Sequence, residues 1–432
     1  MADGTGNFKV IIAGGSIVGL ALANALDRAG IDFIVLEKRE IAPHLGASIS
    51  MLCHNSRVYE QLGLVDVINN ATVPLVDRHH FNKDGYMFED GGVLKGIGDK
   101  TKRYFRFMER RFYLETLYNN LRDKSKVHAN VGVKSFIQRD DGVTVITDNG
   151  ERFEGSILVG ADGVHSTVRR IMAQNVAEMD PERAHNLISP FWANYRSIFG
   201  TSRNLNRRTQ GLFMPNGMVH VAYHRGFSGV SATGVDGLVF WFLFVKEDAP
   251  SRTPDCPRYD DRDAERTIEK YGLFNLGPDY TFRDLWDSKV KAAMFPMEEG
   301  VVQGPWNNGG RVVLIGDSTM KSTVNPGLGG NTNIEGVCYF ANELVQLLAQ
   351  SPKPANDEIK EMFDKYEKKQ RPHAELCVKV SGFQTRYEAM ETWWTRLLIH
   401  IMRWLPNNLM STLLAKHFAS APLLNFLPDP EV

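Results

Sequence analysis

The sequence predicts an α/β fold that combines a Rossmann-type dinucleotide-binding domain with an inserted mixed β-sheet domain and a helical C-terminal region. Three glycine-rich segments support the first part of this prediction: residues 14–19, 160–163 and 316–331. Each segment follows an apolar run that is typical of a buried strand. Because the segments are far apart in the chain yet share this pattern, they indicate one bound dinucleotide that is contacted from three parts of the chain.

The first glycine segment predicts a tight turn between a buried strand and a helix over residues 20–29. Its members Gly14, Gly15, Ser16 and Gly19 allow the backbone to approach a pyrophosphate, whose charge is favoured at a helix N-terminus. Ser16 stands where the usual pattern has a glycine, and its small side chain still permits this approach. The alternative is an ordinary strand–turn–helix unit without a ligand.

An acidic residue follows the first glycine segment at the expected distance. Glu37 ends a second apolar strand over residues 31–36. A carboxylate about 20 residues beyond the glycines is the expected ligand of the ribose hydroxyls and disfavours a 2′-phosphate.

Composition limits the classes of function. The 432 residues predict two compact units plus an extension. The net charge of -1, without a basic stripe, argues against nucleic acid as a partner. The N-terminus shows no signal peptide, and no apolar run is long enough to span a bilayer. Four cysteines without metal-ligand spacing predict no metal site and an intracellular protein with reduced thiols: Cys53, Cys256, Cys338 and Cys377.

The order of the predicted elements divides the chain into three units. Residues 1–75, 100–186 and 301–350 form the dinucleotide-binding domain, residues 76–99 and 187–300 the β-sheet domain, and residues 351–432 the helical region. The predicted elements are a helix in 102–121, a β-meander over 127–160, aromatic-rich strands at 191–199, 218–223 and 237–245, and helices at 334–349 and 358–369.

The C-terminal region contains an unusual apolar stretch, residues 393–405, which is rich in tryptophan and has arginines at its edges. Such a stretch suits a membrane interface, where tryptophan and arginine are favoured. The alternative is a helix that covers the two domains and buries the same face. The expected location is therefore cytoplasmic, or peripherally associated with the cytoplasmic face of a membrane.

Several motifs together resemble one enzyme family. They are residues 14–19 with Glu37, an Arg-x-x-Leu motif that begins at Arg111, residues 160–163 followed by Ser166 and Arg169, and the pair Gly316 and Asp317. In this order they resemble the para-hydroxybenzoate-hydroxylase-like (class A) flavin monooxygenases, and they cover most of the chain. Residues 14–20, 195–200 and 421–428 are similar to a fungal branch of meroterpenoid and indole-diterpene epoxidases.

This resemblance implies a cofactor and a reaction. The dinucleotide would be FAD in a Rossmann-type FAD-binding domain, and the co-substrates would be NAD(P)H and O2. A flavin C4a-hydroperoxide would then epoxidise or hydroxylate a hydrophobic terpenoid-derived secondary metabolite. The alternative is a redox-neutral isomerase or cyclase of the same fold, or a non-catalytic flavoprotein that binds a terpenoid.

The resemblance also assigns cofactor contacts to individual residues. Glu37 would hold the adenosine ribose, Arg111 the flavin side of the cofactor and Asp317 the ribityl chain. Gly330 and Asn331 would back the isoalloxazine ring.

Two further contacts follow from the same resemblance. Met51 would contact the cofactor through its backbone, and Asp162 with Gly163 would shape the groove near the pyrophosphate and the NAD(P)H approach. The alternative for Asp162 is a turn-forming aspartate before a glycine.

Arg196 and Tyr223 are the candidate catalytic residues. Arg196 lies in an otherwise apolar strand, where an unpaired charge is unfavourable, and Tyr223 ends another strand. Related proteins place an arginine and a tyrosine on these strands, facing the substrate. The alternatives are a solvent-facing arginine and a core tyrosine.

The third glycine segment departs from the family pattern. Met320 replaces a histidine, Val324 occupies the usual proline position, and Pro326 appears two residues later. Because proline fixes φ and removes a donor, this shift alters the loop that is expected to lie along the flavin.

Overall fold

The computed structural model describes residues 8–43, 48–402 and 406–430. The strands are β1 (Lys9–Ala13), β2 (Asp32–Glu37), β3 (Ser48–Met51), β4 (Pro74–Leu75), β5 (Asp77–Phe81), β6 (Met87–Gly91), β7 (Phe105–Glu109), β8 (Val127–Ala129), β9 (Val133–Gln138), β10 (Val143–Thr147), β11 (Arg152–Gly155), β12 (Ile157–Gly160), β13 (Trp192–Arg203), β14 (Met218–His224), β15 (Phe227–Ala232), β16 (Leu238–Arg252), β17 (Lys289–Val301), β18 (Val312–Leu314) and β19 (Met320–Lys321). The helices are α1 (Ile17–Ala29), α2 (Cys53–Leu62), α3 (Val65–Ala71), α4 (Val93–Thr101), α5 (Arg110–Asn119), α6 (Thr167–Val176), α7 (Pro181–Ile188), α8 (Asp261–Tyr271), α9 (Phe282–Asp287), α10 (Leu328–Gln350), α11 (Asn356–Glu388), α12 (Trp393–Met402) and α13 (Asn407–Ala419).

A parallel sheet in the order β18-β12-β1-β2-β8 brings the three glycine segments together. Ala13 at the end of β1 is paired with Gly160 at the end of β12, which is in turn paired with Leu314 at the end of β18. Parallel strands end at the same edge, so the three segments leave the sheet side by side, where α/β proteins bind their ligands. The predicted α/β fold is confirmed.

A mixed sheet of eight strands, in the order β19-β17-β13-β16-β15-β14-β5-β6, lies against the helical region. One face packs on α8 and α9 through residues such as Ile198 and Trp241. The other face carries Phe199, Phe242 and Phe244. Because side chains alternate between the two faces of a strand, consecutive residues such as Ile198 and Phe199 point to opposite faces.

Two sequence-based predictions are wrong in detail. Residues 105–109 form β7, paired with β3 and β4, so that the helix predicted within 102–121 begins only at Arg110. In the predicted meander, β9, β10 and β11 form a three-stranded antiparallel sheet, whereas β8 and β12 join the parallel sheet. The division of the chain into domains at the stated residues remains a prediction.

The C-terminal region consists of α11, α12 and α13. The 33-residue helix α11 packs against α10 and against β17 of the mixed sheet, and α13 packs against α4. The apolar stretch of residues 393–405 forms α12, while its residues 403–405 lie outside the described residues. Among the described helices, none is long and apolar enough to cross a membrane.

Candidate active site

A cavity of about 1260 Å³ lies between the glycine-rich edge of the parallel sheet and the mixed sheet. One end is lined by the three glycine segments. The other end is lined by aromatic residues of β13 and β16, by β5, β14 and β15, and by α13. The cavity therefore extends from the predicted dinucleotide site into the predicted substrate domain.

The first turn requires glycine on steric grounds. A Cβ on Gly19 would lie 1.8 Å from the carbonyl oxygen of Gly14, and Gly14 itself has φ +108° beside the carbonyl of Ala161. The turn therefore keeps the N-terminus of α1 directly against β1 and open to the cavity. Gly15 and Ser16 line the cavity at this point.

Glu37 lies at the cavity end of β2, as expected from its position in the sequence. Its carboxylate accepts hydrogen bonds from the backbone N–H of Gly15 (2.7 Å) and of Arg39 (2.9 Å). These bonds hold the carboxylate against the glycine turn, where an adenosine ribose would lie next to a pyrophosphate.

The arginine that reaches the cavity is Arg110, and not Arg111 as expected from the sequence motif. Arg110 lines the cavity and donates to the hydroxyl of Ser16 at 2.5 Å. Burial lowers the pKa of Arg110, while the charges of Asp317 and Glu37 oppose this effect. Arg111 is not among the residues that line the cavity, and it forms an ion pair with Glu115. Neighbouring residues on a helix point about 100° apart, so only one of the two faces the site.

The second glycine segment is anchored by two side chains. Asp162 lines the cavity, and its carboxylate accepts bonds from the backbone of Thr167 (2.6 Å) and Val168 (3.1 Å) at the start of α6. It therefore acts as a helix cap as well as a wall of the groove. Arg169 is buried and donates to the backbone carbonyls of Ser318, Leu187 and Val164.

Arg169, the last residue of the motif that follows residue 163, has a structural role. It donates a 2.7 Å hydrogen bond to the Ser318 carbonyl and so connects α6 to the third glycine segment. Burial lowers the pKa of Arg169 to about 10, so the side chain remains charged at neutral pH. The second segment thus positions the third.

Asp317 lines the cavity at the start of the third segment. Its carboxylate accepts bonds from the Lys321 ammonium and from the Asn333 amide, each 2.6 Å long. Burial opposes the charged form of Lys321, but the Asp317 carboxylate outweighs burial and raises its pKa. Burial also raises the pKa of Glu298 nearby. Asp317 is thus held as a fixed acceptor beside the cavity.

Of the remaining residues predicted to contact the cofactor, one lines the cavity and two are buried behind its wall. Gly330, in the first turn of α10, lines the cavity. The side chain of Asn331 is buried instead and bonds to the backbone of Leu52 and Ser50, so that it ties α10 to β3. Met51 packs into the core, while its neighbours Ser50 and Leu52 line the cavity.

The residues that depart from the family pattern are also divided. Val324 and Pro326 line the cavity, and their position along the flavin remains a prediction. Met320 lies in β19 and is buried in the core, with 1% of its surface exposed. The change from histidine to methionine at this position therefore fills the core and leaves the cavity wall to other residues.

Tyr223 lies in the cavity, whereas Arg196 does not. The Tyr223 hydroxyl is 2.9 Å from Nδ1 of His80. Burial raises the pKa of Tyr223 well above its ordinary value and lowers that of His80 well below its ordinary value, so both groups are neutral.

Arg196 points to the opposite face of the mixed sheet, which corrects its expected role in the substrate chamber. Its guanidinium forms an ion pair with Glu247 at 2.5 Å, and Glu247 also accepts from the Tyr259 hydroxyl. In β13, Arg196 has the same parity as Ile198, which packs with the α8 and α9 helices. Its charge is satisfied there.

The sequence reasoning missed a polar group at the substrate end. Arg78 and Glu89 line the cavity with His80, and the buried carboxylate of Glu388 lies 3.4 Å from the Arg78 guanidinium. Glu388 also accepts from the Asn325 amide at 2.6 Å. The available signal was the polar run at residues 77–80 inside a predicted sheet domain.

The aromatic residues of the mixed sheet and its surroundings are divided between the cavity wall and other parts of the fold. Of eight aromatic side chains in the predicted strands and their surroundings, those that line the cavity are Phe199, Phe242 and Phe244, and those that do not are Phe191, Trp192, Phe213, Phe240 and Trp241.

Comparisons with known proteins agree with this geometry. A family model described as "FAD binding domain" matches residues 7–188. The chain is 32% identical to FAD-dependent monooxygenase cdmI of Talaromyces verruculosus, over 99% of this chain and 89% of that protein. It is 33% identical to FAD-dependent monooxygenase adrH of Penicillium rubens, over 100% and 90%. Klebsiella pneumoniae HpxO complexed with FAD and uric acid has the same fold, with a TM-score of 0.75 and 17% identity over 96% of this chain and 97% of that one.

Proposed function

The chain belongs to the para-hydroxybenzoate-hydroxylase-like (class A) FAD-dependent monooxygenases, and we propose that it epoxidises or hydroxylates a hydrophobic, terpenoid-derived secondary metabolite. The enzyme uses FAD, and NAD(P)H is the co-substrate typical of this family. The bound flavin supplies the reactivity with O2. The protein supplies binding, orientation and a chamber from which water is excluded.

The residues at the glycine-rich end fit FAD. The N-termini of α1 and α10 both border the cavity, and a helix N-terminus favours the charge of a pyrophosphate. We propose that Glu37 binds the adenosine ribose, Asp317 the ribityl chain, and Arg110 the flavin side of the cofactor. Gly330, in the first turn of α10, would leave room for the flavin ring.

The observation that carries the substrate proposal is the apolar wall of the chamber. The three cavity-facing phenylalanines of β13 and β16 continue into aliphatic side chains on β14, β15, α4 and α13, which include Val219, Val230, Leu94 and Leu414. Burial of such a surface favours a large hydrocarbon ligand by about 25 cal/mol per Å².

We propose that Tyr223 donates a proton or a hydrogen bond to the substrate. Its pKa is raised by burial, so the phenol keeps its hydrogen at neutral pH. When Nδ1 of neutral His80 carries a hydrogen, it donates to the Tyr223 oxygen and leaves the phenol hydrogen directed at a substrate oxygen. His80 therefore orients the donor.

The direct test is oxidation of NADPH by the purified holoenzyme with a panel of prenylated aromatic compounds and terpenoids. We expect a substrate that stimulates oxidation and a product that has gained one oxygen, as measured by mass spectrometry. A product isomeric with its substrate, formed without NADPH consumption, would instead support a redox-neutral isomerase or cyclase.

We also propose that the protein is intracellular and that α12 and α13 contact the surface of an anionic membrane. From residue 389 to 420, the single acidic residue is Glu391, whose carboxylate is engaged by Tyr195 and Lys246. Interfacial helices combine such positive stretches with exposed apolar side chains. The exposed large apolar residues of the two helices are Trp393, Trp394, Leu397, Ile401, Leu409 and Leu413.

Sedimentation with phosphatidylserine vesicles tests this contact. We expect the double variant Leu397→Ser/Ile401→Ser to bind vesicles less than wild type. Leu212→Ser/Leu273→Ser is the matched control, because these leucines are at least as exposed but lie outside the C-terminal helices. Equal binding by both variants would contradict the proposed contact.

A further inference from the structure

The substrate end of the cavity contains a charged group, Arg78, in a small polar cluster beside an apolar wall. Arg78 lies on β5, and its side chain lines the cavity with 27% of its surface exposed. The neighbouring cavity wall is formed by aliphatic residues such as Leu75, Val93 and Ile97. A guanidinium in such a place is unfavourable unless its donors have partners.

The donors of Arg78 are incompletely used by the protein. One terminal nitrogen lies 3.4 Å from the Glu388 carboxylate, which is a long hydrogen bond. The Nε–H group is buried and has no hydrogen-bond partner among the described residues. Buried polar groups in native proteins are nearly always paired, so an unpaired donor beside a cavity indicates a ligand.

Glu388 is a poor partner for Arg78 because other groups already hold it. Its side chain is fully buried, and it accepts from the Gln384 amide at 2.8 Å and from the Asn325 amide at 2.6 Å. Burial raises the pKa of Glu388, while the charge of Arg78 and the hydrogen bonds from the two amides oppose this effect. The two amides hold Glu388 in place, and Arg78 remains directed at the cavity.

We propose that Arg78 binds a neutral acceptor oxygen, such as a ketone or lactone carbonyl, on the substrate. Glu388 and Glu89 both interact with the charge of Arg78, so its guanidinium already has two acidic neighbours, and an anionic ligand would bring a third acidic group to the same place. The substrate class is therefore a long hydrocarbon with one carbonyl-bearing end. This inference rests on the proposed use of the chamber for a hydrophobic substrate.

Apolar side chains line the same cavity as Arg78, among them Phe107, Phe242 and Val230. Glu388, the neighbour of Arg78, is bonded to Asn325 in the third glycine segment, so Arg78 lies close to the loop that borders the cofactor end. A carbonyl held at Arg78 therefore leaves the hydrocarbon in contact with these apolar side chains.

Three ligands test carbonyl binding by Arg78 separately from the general binding of a hydrophobic substrate. They are the hydrocarbon farnesene, the ketone farnesylacetone and farnesoic acid, added to the FAD-loaded enzyme without NAD(P)H. The rise in Tm with ligand concentration gives each dissociation constant. We expect the ketone to bind at least about tenfold more tightly than the hydrocarbon, in line with one hydrogen bond to a charged group, and the acid to bind less tightly than the ketone.

The variant Arg78→Met is expected to lose the preference for the ketone while its affinity for the hydrocarbon stays unchanged. The hydrocarbon therefore reports that the chamber is intact. Arg78→Lys keeps the charge beside Glu388 but displaces the donors, so it is expected to show a reduced preference even where the methionine variant does not fold. Arg196→Met, with its arginine on the opposite face of the same sheet, is the matched control and should behave as wild type.

Each outcome is decisive. Loss of the preference in both Arg78 variants and its retention in Arg196→Met support the inference. Three results would overturn the inference: equal binding of ketone and hydrocarbon by wild type, tighter binding of the acid than of the ketone, or a full preference for the ketone in an Arg78 variant. None of them would contradict a chamber that binds hydrophobic substrates. If wild type binds none of the three probes, the proposed hydrophobic substrate is itself wrong, and the inference falls with it.

Discussion

Replacement of Glu335 with glutamine should destabilise the protein in a pH-dependent way. The Glu335 carboxylate, on α10, lies 3.1 Å from Nε2 of His54 and 2.9 Å from Nδ1 of His373, which forms a hydrogen bond with it. Burial alone would raise its pKa, but the hydrogen bond with His373 and the neighbouring His54 outweigh burial and lower the pKa from 4.5 to about 2. A drop of that size corresponds to ~3 kcal/mol of folding stability when the carboxylate is ionised.

The pH range in which Glu335 stabilises the fold follows from the pKa shifts of both Glu335 and His373. The pKa of Glu335 is lowered on folding, so its contribution is complete above 4.5 and is lost as the pH falls toward 2. The pKa of His373 is raised above 6.5 by the Glu335 carboxylate, so its contribution is complete below 6.5 and is lost as the pH rises through the raised pKa. The effect of Glu335→Gln should therefore be largest between these values.

Thermal unfolding of the holoenzyme measures the effect. We expect Glu335→Gln to lower Tm by about 5 °C near pH 5.5 and by clearly less near pH 9. Glu361→Gln is the control, because Glu361 forms an exposed ion pair with Lys365, and such pairs contribute little. The reasoning is refuted if the loss is the same at both pH values, or if it is no larger than the loss in the control.

Three further predictions concern the cavity. Asp317→Ala should lose FAD because a fixed acceptor at the cofactor end is removed; absorbance after reconstitution measures this, and a variant that stays yellow contradicts the assignment. Tyr223→Phe should keep FAD but lower turnover by about a hundredfold, as expected for a lost proton donor, whereas Arg196→Ala should retain wild-type turnover. Product assays compare the two, and equal effects would reject Tyr223 as the donor. Val324→Pro with Pro326→Leu should leave oxygenation intact, because it restores the family backbone; more NADPH oxidation with less product would show that the loop is tuned for another reaction.

The cofactor end was largely predictable from sequence because its requirements are local. A glycine turn and an acid at a fixed distance specify the positions of Gly14, Gly19 and Glu37 once β1 and β2 are parallel. The choice between Arg110 and Arg111 was not predictable in this way. It depends on the residue at which β7 gives way to α5, and a shift of one residue turns a different arginine toward the cavity.

The substrate end depends on contacts that no local pattern encodes. The mixed sheet is buried on both faces, so the strand around Arg196 shows no polar face from which its direction could be read, and its partner Glu247 lies on another strand. Arg78 and Glu388 are separated by 310 positions in the chain and meet only because α11 packs against the mixed sheet, including β14, the neighbour of β5. Sequence alone offers no spacing that links such a pair.

The pairing of Ala13 with Gly160, and of Gly160 with Leu314, has a consequence for biosynthesis. Roughly 300 residues separate the first and third glycine segments, so a ribosome at ~5–20 residues per second needs on the order of 15–60 s to pass from one to the other. During this time the nascent chain can form the first turn but lacks the strand and the aspartate that complete the pocket. The complete cofactor site can therefore form only after the third glycine segment has been synthesised, and a product truncated before residue 316 would lack Asp317 and the N-terminus of α10.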